Sequence, residues 1–170
     1  MELISAERRN ELILSSRTRL KLELRDRYAV DSTLFDAWRR GDAGTVRELT
    51  APAATRVAAQ VADGVSVRRI KVLSEPPSDY MRHMLDVSGV LVEAGEDIRW
   101  LPRRLASNVL LPANDFNVLD GTSVVFNVLD GDDSPAEQQL WTSMEVVNRC
   151  VSAFEDAWEF AIPHRDYLST

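Results

Sequence analysis

The sequence predicts an α/β domain in which a mixed β-sheet is flanked by helices, with an α+β arrangement as the alternative. Strand-like and helix-like segments alternate along the chain, and residues 65–101 have the order strand, turn, helix, strand that is typical of a β-α-β unit. Two near-identical hexapeptides follow, at 116–121 and 126–131. The 170 residues, of which 45% are apolar and 28% charged, suffice for one domain with a substantial core. We therefore expect residues 1–170 to form a single domain.

The N-terminal portion, residues 1–64, is predicted to be mainly helical with one strand. A short charged helix is expected over 5–14 with Ser5 as its N-cap. Residues 18–25 then alternate, with Leu20, Leu22 and Leu24 on one side and charged side chains on the other. Such alternation predicts a strand with one solvent-exposed face.

Two more helices are predicted before the next strand. Asp31-Ser32 is a candidate cap for a short helix that Gly41 ends. A second helix is expected over 44–62, with Pro52 marking a break or a new helix start.

The β-α-β unit begins with an interior strand at 65–73, since apolar residues occur on both of its faces. A helix with apolar residues at helical spacing follows Asp79 and ends near Gly95, and the next strand is expected at 97–101. Residues 102–111 are expected to form a connector or a helical turn.

The two hexapeptides predict the strands of one hairpin, turning at Asp120-Gly121. A further strand is expected at 138–141. Thr142 and Glu145 have the spacing of a capping box for the last helix, which Pro163 ends.

Charge and composition exclude several classes of function. The net charge is −7, and residues 110–170 carry 11 acidic against 2 basic side chains, which disfavours direct nucleic-acid binding. Cys150 is the only cysteine, and neither His83 nor His164 has neighbours at metal-ligand spacing, so we expect no disulfide, metal or cofactor. A charged N-terminus and the lack of a long apolar run predict a cytoplasmic protein that does not enter a membrane.

The segments 22–25, 74–80, 94–103 and 112–116, together with Phe154, Trp158 and Pro163, resemble an actinobacterial family, domain-of-unknown-function family 6879. Its members are small soluble proteins often encoded beside small helix-turn-helix regulators, so the resemblance implies such a regulator as a partner. The order of elements also looks like a phospholipase D-like half-domain. Neither His83 nor His164 is followed by the lysine that this chemistry needs, so the likeness implies the topology without the reaction.

Candidate ligand-binding residues lie at the strand ends and in the turns after them, where α/β folds place ligands. They are Arg68, Glu75, Ser78, Tyr80, Arg82, Glu96, Arg99 and Asp115. Arg68, Arg82 and Arg99 are suited to clamp a carboxylate or phosphate. The alternative is that these arginines pair with Glu75, Glu96 and Asp115 and fix the turns to the sheet.

We therefore carry three hypotheses. The favoured one is a non-catalytic interaction or ligand-sensing module that acts with a separate helix-turn-helix regulator. The second is an enzyme acting on a small anionic substrate with Glu75 or Glu96 as acid or base. The third is a homodimer held through the last helix and the hairpin.

Overall fold

The computed structural model describes residues 1–29 and 32–169. Within these residues one mixed sheet has eight strands in the order β1-β7-β6-β5-β2-β3-β4-β8. The strands are β1 Glu2–Leu3, β2 Thr18–Glu23, β3 Ser66–Leu73, β4 Asp97–Pro102, β5 Asp115–Leu119, β6 Ser123–Leu129, β7 Pro135–Trp141 and β8 Ile162–Pro163. β2, β3 and β4 are parallel, whereas the other pairs are antiparallel. The predicted mixed α/β fold is confirmed.

Helices cover both faces of this sheet. They are α1 Ala6–Ser15, α2 Ser32–Arg39, α3 Ala43–Ala62, α4 Asp79–Glu93, α5 Met144–Phe160 and α6 His164–Tyr167, with a 3-10 turn at Arg103–Leu105. α5 packs alone on one face, which we call the α5 face. α1 to α4 cover the other, the helical face. None of the helices in the described part of the chain has the length and hydropathy of a membrane-spanning segment.

The α5 face carries the larger apolar core. Leu22, Ile70 and Phe116 from the central strands pack there against Val147 and Phe154 of α5, and each is fully buried. Large apolar side chains of this kind each stabilise the folded state by about 1.5–3 kcal/mol through burial. This core fixes the positions of the central strands, and therefore of the side chains that these strands place on the helical face.

The helical face is divided. Over β3 and β4 it is apolar, with Leu73 and Trp100 packed against Met81 and Leu85 of α4. Trp100 Nε1 donates a hydrogen bond of 2.9 Å to Nδ1 of buried His164, so this pair extends the core to α6. Over β5, β2 and β3 the same face is polar. This polar half positions the candidate site described below.

Local signals predicted several elements correctly. β3, α4 and β4 form the expected β-α-β unit, with β3 parallel to β4. Ser5 Oγ accepts a hydrogen bond from Arg8 N at 3.1 Å, as expected of an N-cap. The hexapeptides pair with Phe116 opposite Phe126, and Gly121 adopts a φ of 64° in the turn. That left-handed backbone suits glycine and the twist of a two-residue hairpin.

Other expectations were wrong. Pro52 lies inside the continuous helix α3, because packing against α2 and α4 offsets the lost hydrogen bond. The charged face of β2 is covered rather than solvent-exposed, as Arg19 and Glu23 are both buried. α5 begins at Met144 with Ser143 as its cap residue and without a side-chain cap bond, so the expected capping box is not formed. The expected cap residue Asp31 lies outside the described residues.

Candidate functional site

The eight residues singled out from the sequence do not form one site. Arg68 lies on the α5 face and binds the Glu155 carboxylate at 2.6 and 2.8 Å, with its guanidinium 4.1 Å from the centre of the Trp158 ring. Arg99 stacks on the same ring at 4.0 Å, and its Nε lies 3.7 Å from Asp97 Oδ1. Both arginines make cation–π contacts with Trp158, which hold α5 to the sheet.

Four others lie around the start of α4. Ser78 Oγ caps the helix by accepting from Met81 N at 3.2 Å, and Arg82 makes an exposed i,i+3 pair with Asp79. Tyr80 is buried. Glu75 accepts from Arg104 Nε at 2.6 Å and from the Tyr167 hydroxyl at 3.1 Å. These contacts have the form of structural pairs, although the partners differ from those that the sequence indicated.

Glu96 and Asp115 are different, because both belong to the polar half of the helical face. We call this surface, together with the side chains that face it, the polar cleft. Its strand residues are Asp115 and Asn117 from β5, Arg19, Lys21 and Glu23 from β2, and Arg69 and Lys71 from β3, with Glu96 immediately before β4. α1 and α3 lie over it and contribute Arg9, Arg56 and Gln60.

Period-two alternation in three neighbouring strands produces the polar cleft. The register pairs Lys21 with Arg69 of β3 and with Asn117 of β5, and pairs Glu23 with Lys71. Because facing residues in register point to the same side of a sheet, the charged positions of β2 and β3 meet on one face. The apolar positions between them meet on the α5 face.

Glu23 is the centre of an ion-pair network in the polar cleft. Its Oε1 lies 2.5 Å from Lys21 Nζ, its Oε2 contacts Lys71 Nζ, and Arg69 Nη1 is 3.7 Å from Oε1. Burial alone would raise the pKa of Glu23, but the Lys21, Lys71 and Arg69 charges hold it well below its usual range. Arg69 Nε also binds Glu96 Oε1 at 2.5 Å. Glu23 and Glu96 are therefore carboxylates that neutralise buried cations.

Asp115 has a separate partner. The Tyr28 hydroxyl donates to Asp115 Oδ2 at 2.5 Å, and the backbone N of Leu24 donates to Oδ1 at 2.8 Å. Burial raises the pKa of Asp115, and the Tyr28 hydrogen bond opposes that shift. Burial also raises the pKa of Tyr28, which keeps the phenol protonated as a donor.

The cations of the polar cleft outnumber its acids. Arg9, Arg19, Lys21, Arg56, Arg69 and Lys71 face Glu23, Glu96 and Asp115, so six positive charges oppose three negative ones in a chain with a net charge of −7. Buried charges normally have matched partners. Arg56 is exposed to solvent, so the covered part of the surface has a balance of +2, which needs an explanation beyond folding.

Three of these cations make no ion pair within the described residues, and since Arg56 is exposed to solvent, the covered unmatched cations are Arg9 and Arg19. Arg19 is 9% exposed and its Nη2 donates to the neutral Gln60 Oε1 at 2.8 Å, while Arg9 Nε donates to Asn127 Oδ1 at 2.8 Å. Neither makes an ion pair within residues 1–29 and 32–169. Burial lowers the pKa of Arg19 although Glu96 opposes this, because the guanidinium has lost water without gaining a carboxylate.

Asn117 adds an unused donor beside them. It is 2% exposed, and its Nδ2 has no hydrogen-bond partner among the described residues. Leaving such a buried group unsatisfied costs about 1–3 kcal/mol. Arg19 Nε is also buried without a partner in the described chain, so two neighbouring donors lack the acceptor that an oxygen of a ligand would supply.

Two adjoining cavities open onto the polar cleft. The first, which we call the α3 cavity, has a volume of about 350 Å³ and is bounded by α1 and α3. The second, the α4 cavity, has a volume of about 420 Å³ and is bounded by α1 and by Met84 of α4. Arg9, Asn10, Lys21 and Arg69 line both. Each is within the size range of small-molecule sites.

The described residues contain no group of three or more His, Cys, Asp or Glu side chains placed to hold a metal ion. The arrangement of the polar cleft is instead suited to anions, since guanidinium, ammonium and amide N–H groups are the donors that carboxylates and phosphates accept from.

Of the residues predicted from the sequence, only Glu96 and Asp115 belong to this surface. Arg19, Lys21 and Glu23 were not among them because their alternation indicated a solvent-exposed face, and Arg68 was predicted where the neighbouring Arg69 enters the polar cleft. A signal was present in the strand that follows, where Arg69 and Lys71 also carry charges two positions apart. Two adjacent strands with charges on the same side indicate a covered polar surface.

Comparison with known proteins gives a family but no function. The family model described as a domain of unknown function, DUF6879, matches residues 7–169, which is nearly the whole chain. A search of the curated proteins found no match.

Proposed function

The chain belongs to the DUF6879 family, whose description names no reaction, and we propose that it is a non-catalytic module that senses a small anionic ligand in the polar cleft. The observation that carries the proposal is the excess of cations there, with Arg9 and Arg19 unmatched by any carboxylate of the described residues. A bound anion would supply the missing negative charge. It would also accept hydrogen bonds from Asn117 Nδ2 and Arg19 Nε.

A non-catalytic role is supported by the state of the acids. A general acid or base works best with a pKa near the working pH. The cations beside Glu23 hold its pKa well below its usual range, which is away from a neutral working pH. Glu96 is bound to Arg69. Both side chains are therefore better placed to neutralise charge than to transfer a proton.

The alternative, an enzyme acting on a small anionic substrate, has one specific support. Asp115 lines the α4 cavity, and burial raises its pKa toward the range of a catalytic carboxyl. Asp115→Asn distinguishes the two functions. An enzyme would bind its substrate but lose turnover in this variant, whereas a sensing module has no turnover to lose.

We further propose that the module works in the cytoplasm with a separate helix-turn-helix regulator. The genomic setting of the family suggests this partner, and the exposed acidic side chains of α5, Glu145, Asp156 and Glu159, would complement a basic DNA-binding protein. Co-purification with a helix-turn-helix regulator encoded beside the gene for this chain, with and without anions, tests this. If the regulator is recovered neither with nor without anions, this part of the proposal is contradicted.

Thermal unfolding tests anion binding directly. Phosphate, sulfate and citrate are added at constant ionic strength, with chloride as the reference. A ligand at 100 times its Kd stabilises the folded state by about 2.7 kcal/mol. For a chain of this length that corresponds to a Tm increase of roughly 5–11 °C.

The matched variants are Arg19→Gln and Arg82→Gln. Arg19→Gln should lose most of the anion-dependent shift in Tm, because it removes a buried cation of the polar cleft. Arg82→Gln should keep it, since Arg82 is an exposed α4 residue paired with Asp79. No shift with any of the anions, or equal shifts in the two variants, would contradict the proposal.

A further inference from the structure

We infer that the ligand is an organic anion, with its charged group in the α3 cavity and its uncharged body in the α4 cavity. The inference rests on the proposed function and adds the chemical class of the ligand to it. It follows from a difference between the two cavities in charge, in wall chemistry and in their unused polar atoms.

The α3 cavity is strongly cationic. Its charged lining residues are Arg9, Arg19, Lys21, Arg56 and Arg69, against Glu96 alone. Glu96 is already bound to Arg69 at 2.5 Å. An anionic group placed here meets several donors and no free carboxylate of the described residues, which is the environment expected of a phosphate or carboxylate subsite.

The α4 cavity is less cationic: its charged lining residues are Arg9, Lys21, Arg69 and Lys71 against Glu23 and Asp115, and every one of these cations except Arg9 makes an ion pair within the described residues. Glu23 neutralises Lys21 and Lys71, and Asp115 is held by Tyr28. Both cavities have four apolar side chains in their walls, but the apolar part of the lining is larger in the α4 cavity. These side chains are Ala6, Met84, Leu129 and Pro135 in the α4 cavity, and Ile13, Leu14, Val57 and Val67 in the α3 cavity. The unmatched cation of the α4 cavity, Arg9, is shared with the α3 cavity, so a second charged group would find no unmatched partner of its own there, whereas an uncharged and partly apolar body would bury surface against these walls.

The buried polar atoms without a hydrogen-bond partner also differ between the two cavities, since one cavity has a donor and the other an acceptor. Asn117 lines the α3 cavity and offers an unpartnered donor, Nδ2. Gln138 lines the α4 cavity, and its Oε1 is an unpartnered acceptor among the described residues. A donor suits an anionic oxygen, whereas an acceptor suits an N–H or O–H of the ligand body.

The dimensions fit one ligand across both cavities. Their volumes are about 350 and 420 Å³, and they share Arg9, Asn10, Lys21 and Arg69 as walls. Each alone is near the lower end of the range for small-molecule sites. Together they suit an organic phosphate or carboxylate of about mononucleotide size, such as a phosphorylated heterocycle.

Isothermal titration calorimetry with four probes tests this: inorganic phosphate, phenyl phosphate, AMP and adenosine. We expect at least one organic phosphate to bind about tenfold or more tightly than inorganic phosphate, because only it uses the α4 cavity, and we expect adenosine to bind more weakly than AMP. Gln138→Leu should reduce the affinity for AMP about fivefold and leave that for inorganic phosphate unchanged, since it removes one acceptor at similar volume. Arg19→Gln should weaken both. Circular dichroism and thermal unfolding establish that each variant is folded.

The outcomes separate this inference from the proposed function. Equal affinities for inorganic phosphate and for both organic phosphates would overturn the inference and leave the anion site in place. A Gln138→Leu variant with unchanged affinity for AMP would also overturn it. Adenosine binding as tightly as AMP, or no binding by any phosphate probe, would overturn the anion site as well.

Discussion

Replacing Glu23 with glutamine removes one negative charge from the centre of the polar cleft while keeping the size of the side chain. Lys21, Lys71 and Arg69 then lose their shared carboxylate. Lys71 is 4% exposed, so water cannot replace that partner at Nζ. The structure therefore predicts that Glu23→Gln is strongly destabilising, although it changes no apolar contact.

The magnitude follows from the burial of the network. Removing one partner of a buried ion pair typically costs about 3–5 kcal/mol, because the remaining charge stays buried without a partner. For a chain of this length that loss corresponds to a Tm decrease of roughly 6–20 °C. The matched control is Glu155→Gln, which breaks the partly exposed pair with Arg68 and should cost about 0–1 kcal/mol.

Urea unfolding at pH 7, followed by circular dichroism, gives the free energy of unfolding of both variants. Because the folded pKa of Glu23 lies below its unfolded value, the wild type should also lose this stability as the pH falls below about 4.5, and the variant should not. Added phosphate should restore part of the loss if an anion can replace the carboxylate. A Glu23→Gln variant within about 1 kcal/mol of the wild type would refute the reasoning.

Three further perturbations test other parts of the fold. Tyr28→Phe removes the hydrogen bond to buried Asp115 and should lower the free energy of unfolding in urea by about 1–3 kcal/mol; a smaller change would mean that water replaces the hydroxyl. Burial lowers the pKa of His164, so the neutral imidazole contributes to the free energy of unfolding above the unfolded pKa near 6.5, and this contribution is lost as the pH falls. The Tm of the wild type should therefore decrease more between pH 7.5 and 5.5 than the Tm of His164→Asn. Parallel decreases in the two proteins would exclude this contribution. Gly121→Ala places a Cβ at a φ of 64° and should lower the Tm by about 2–8 °C, whereas Gly131→Ala, outside the left-handed region, should change it little.

Local signals in the sequence were sufficient for the elements, because they depend on nearby residues. The spacing of apolar residues after Asp79 identified α4, and Asp120-Gly121 between two hexapeptides identified the hairpin. The positions of helices over the sheet depend on contacts far apart in sequence, such as Arg19 with Gln60 and Arg9 with Asn127. Without those contacts, the residues that share a cavity could not be predicted.

The same limit explains why Arg68 was chosen and Arg69 missed. Adjacent residues of a strand point to opposite faces, so the choice between them is a choice of face. Only the packing of α5 on Ile70 and Val72 settles that Arg68 lies beside α5 and Arg69 beneath α1.

A covered polar face of a sheet differs from a solvent-exposed one in that opposite charges lie at paired positions of neighbouring strands. On a solvent-exposed face each charge is hydrated, and neighbouring strands need not carry compensating charges. In this protein the register sets Glu23 beside Lys71, and Glu96 precedes β4 where it can reach Arg69. Each of these acids therefore has a basic partner, as is required of charges from which water is largely excluded. Within such a matched surface the remaining unmatched cations are informative, because selection for stability alone would have paired or removed them. Arg9 and Arg19, rather than the paired residues around them, are therefore the positions at which an anion is expected to act.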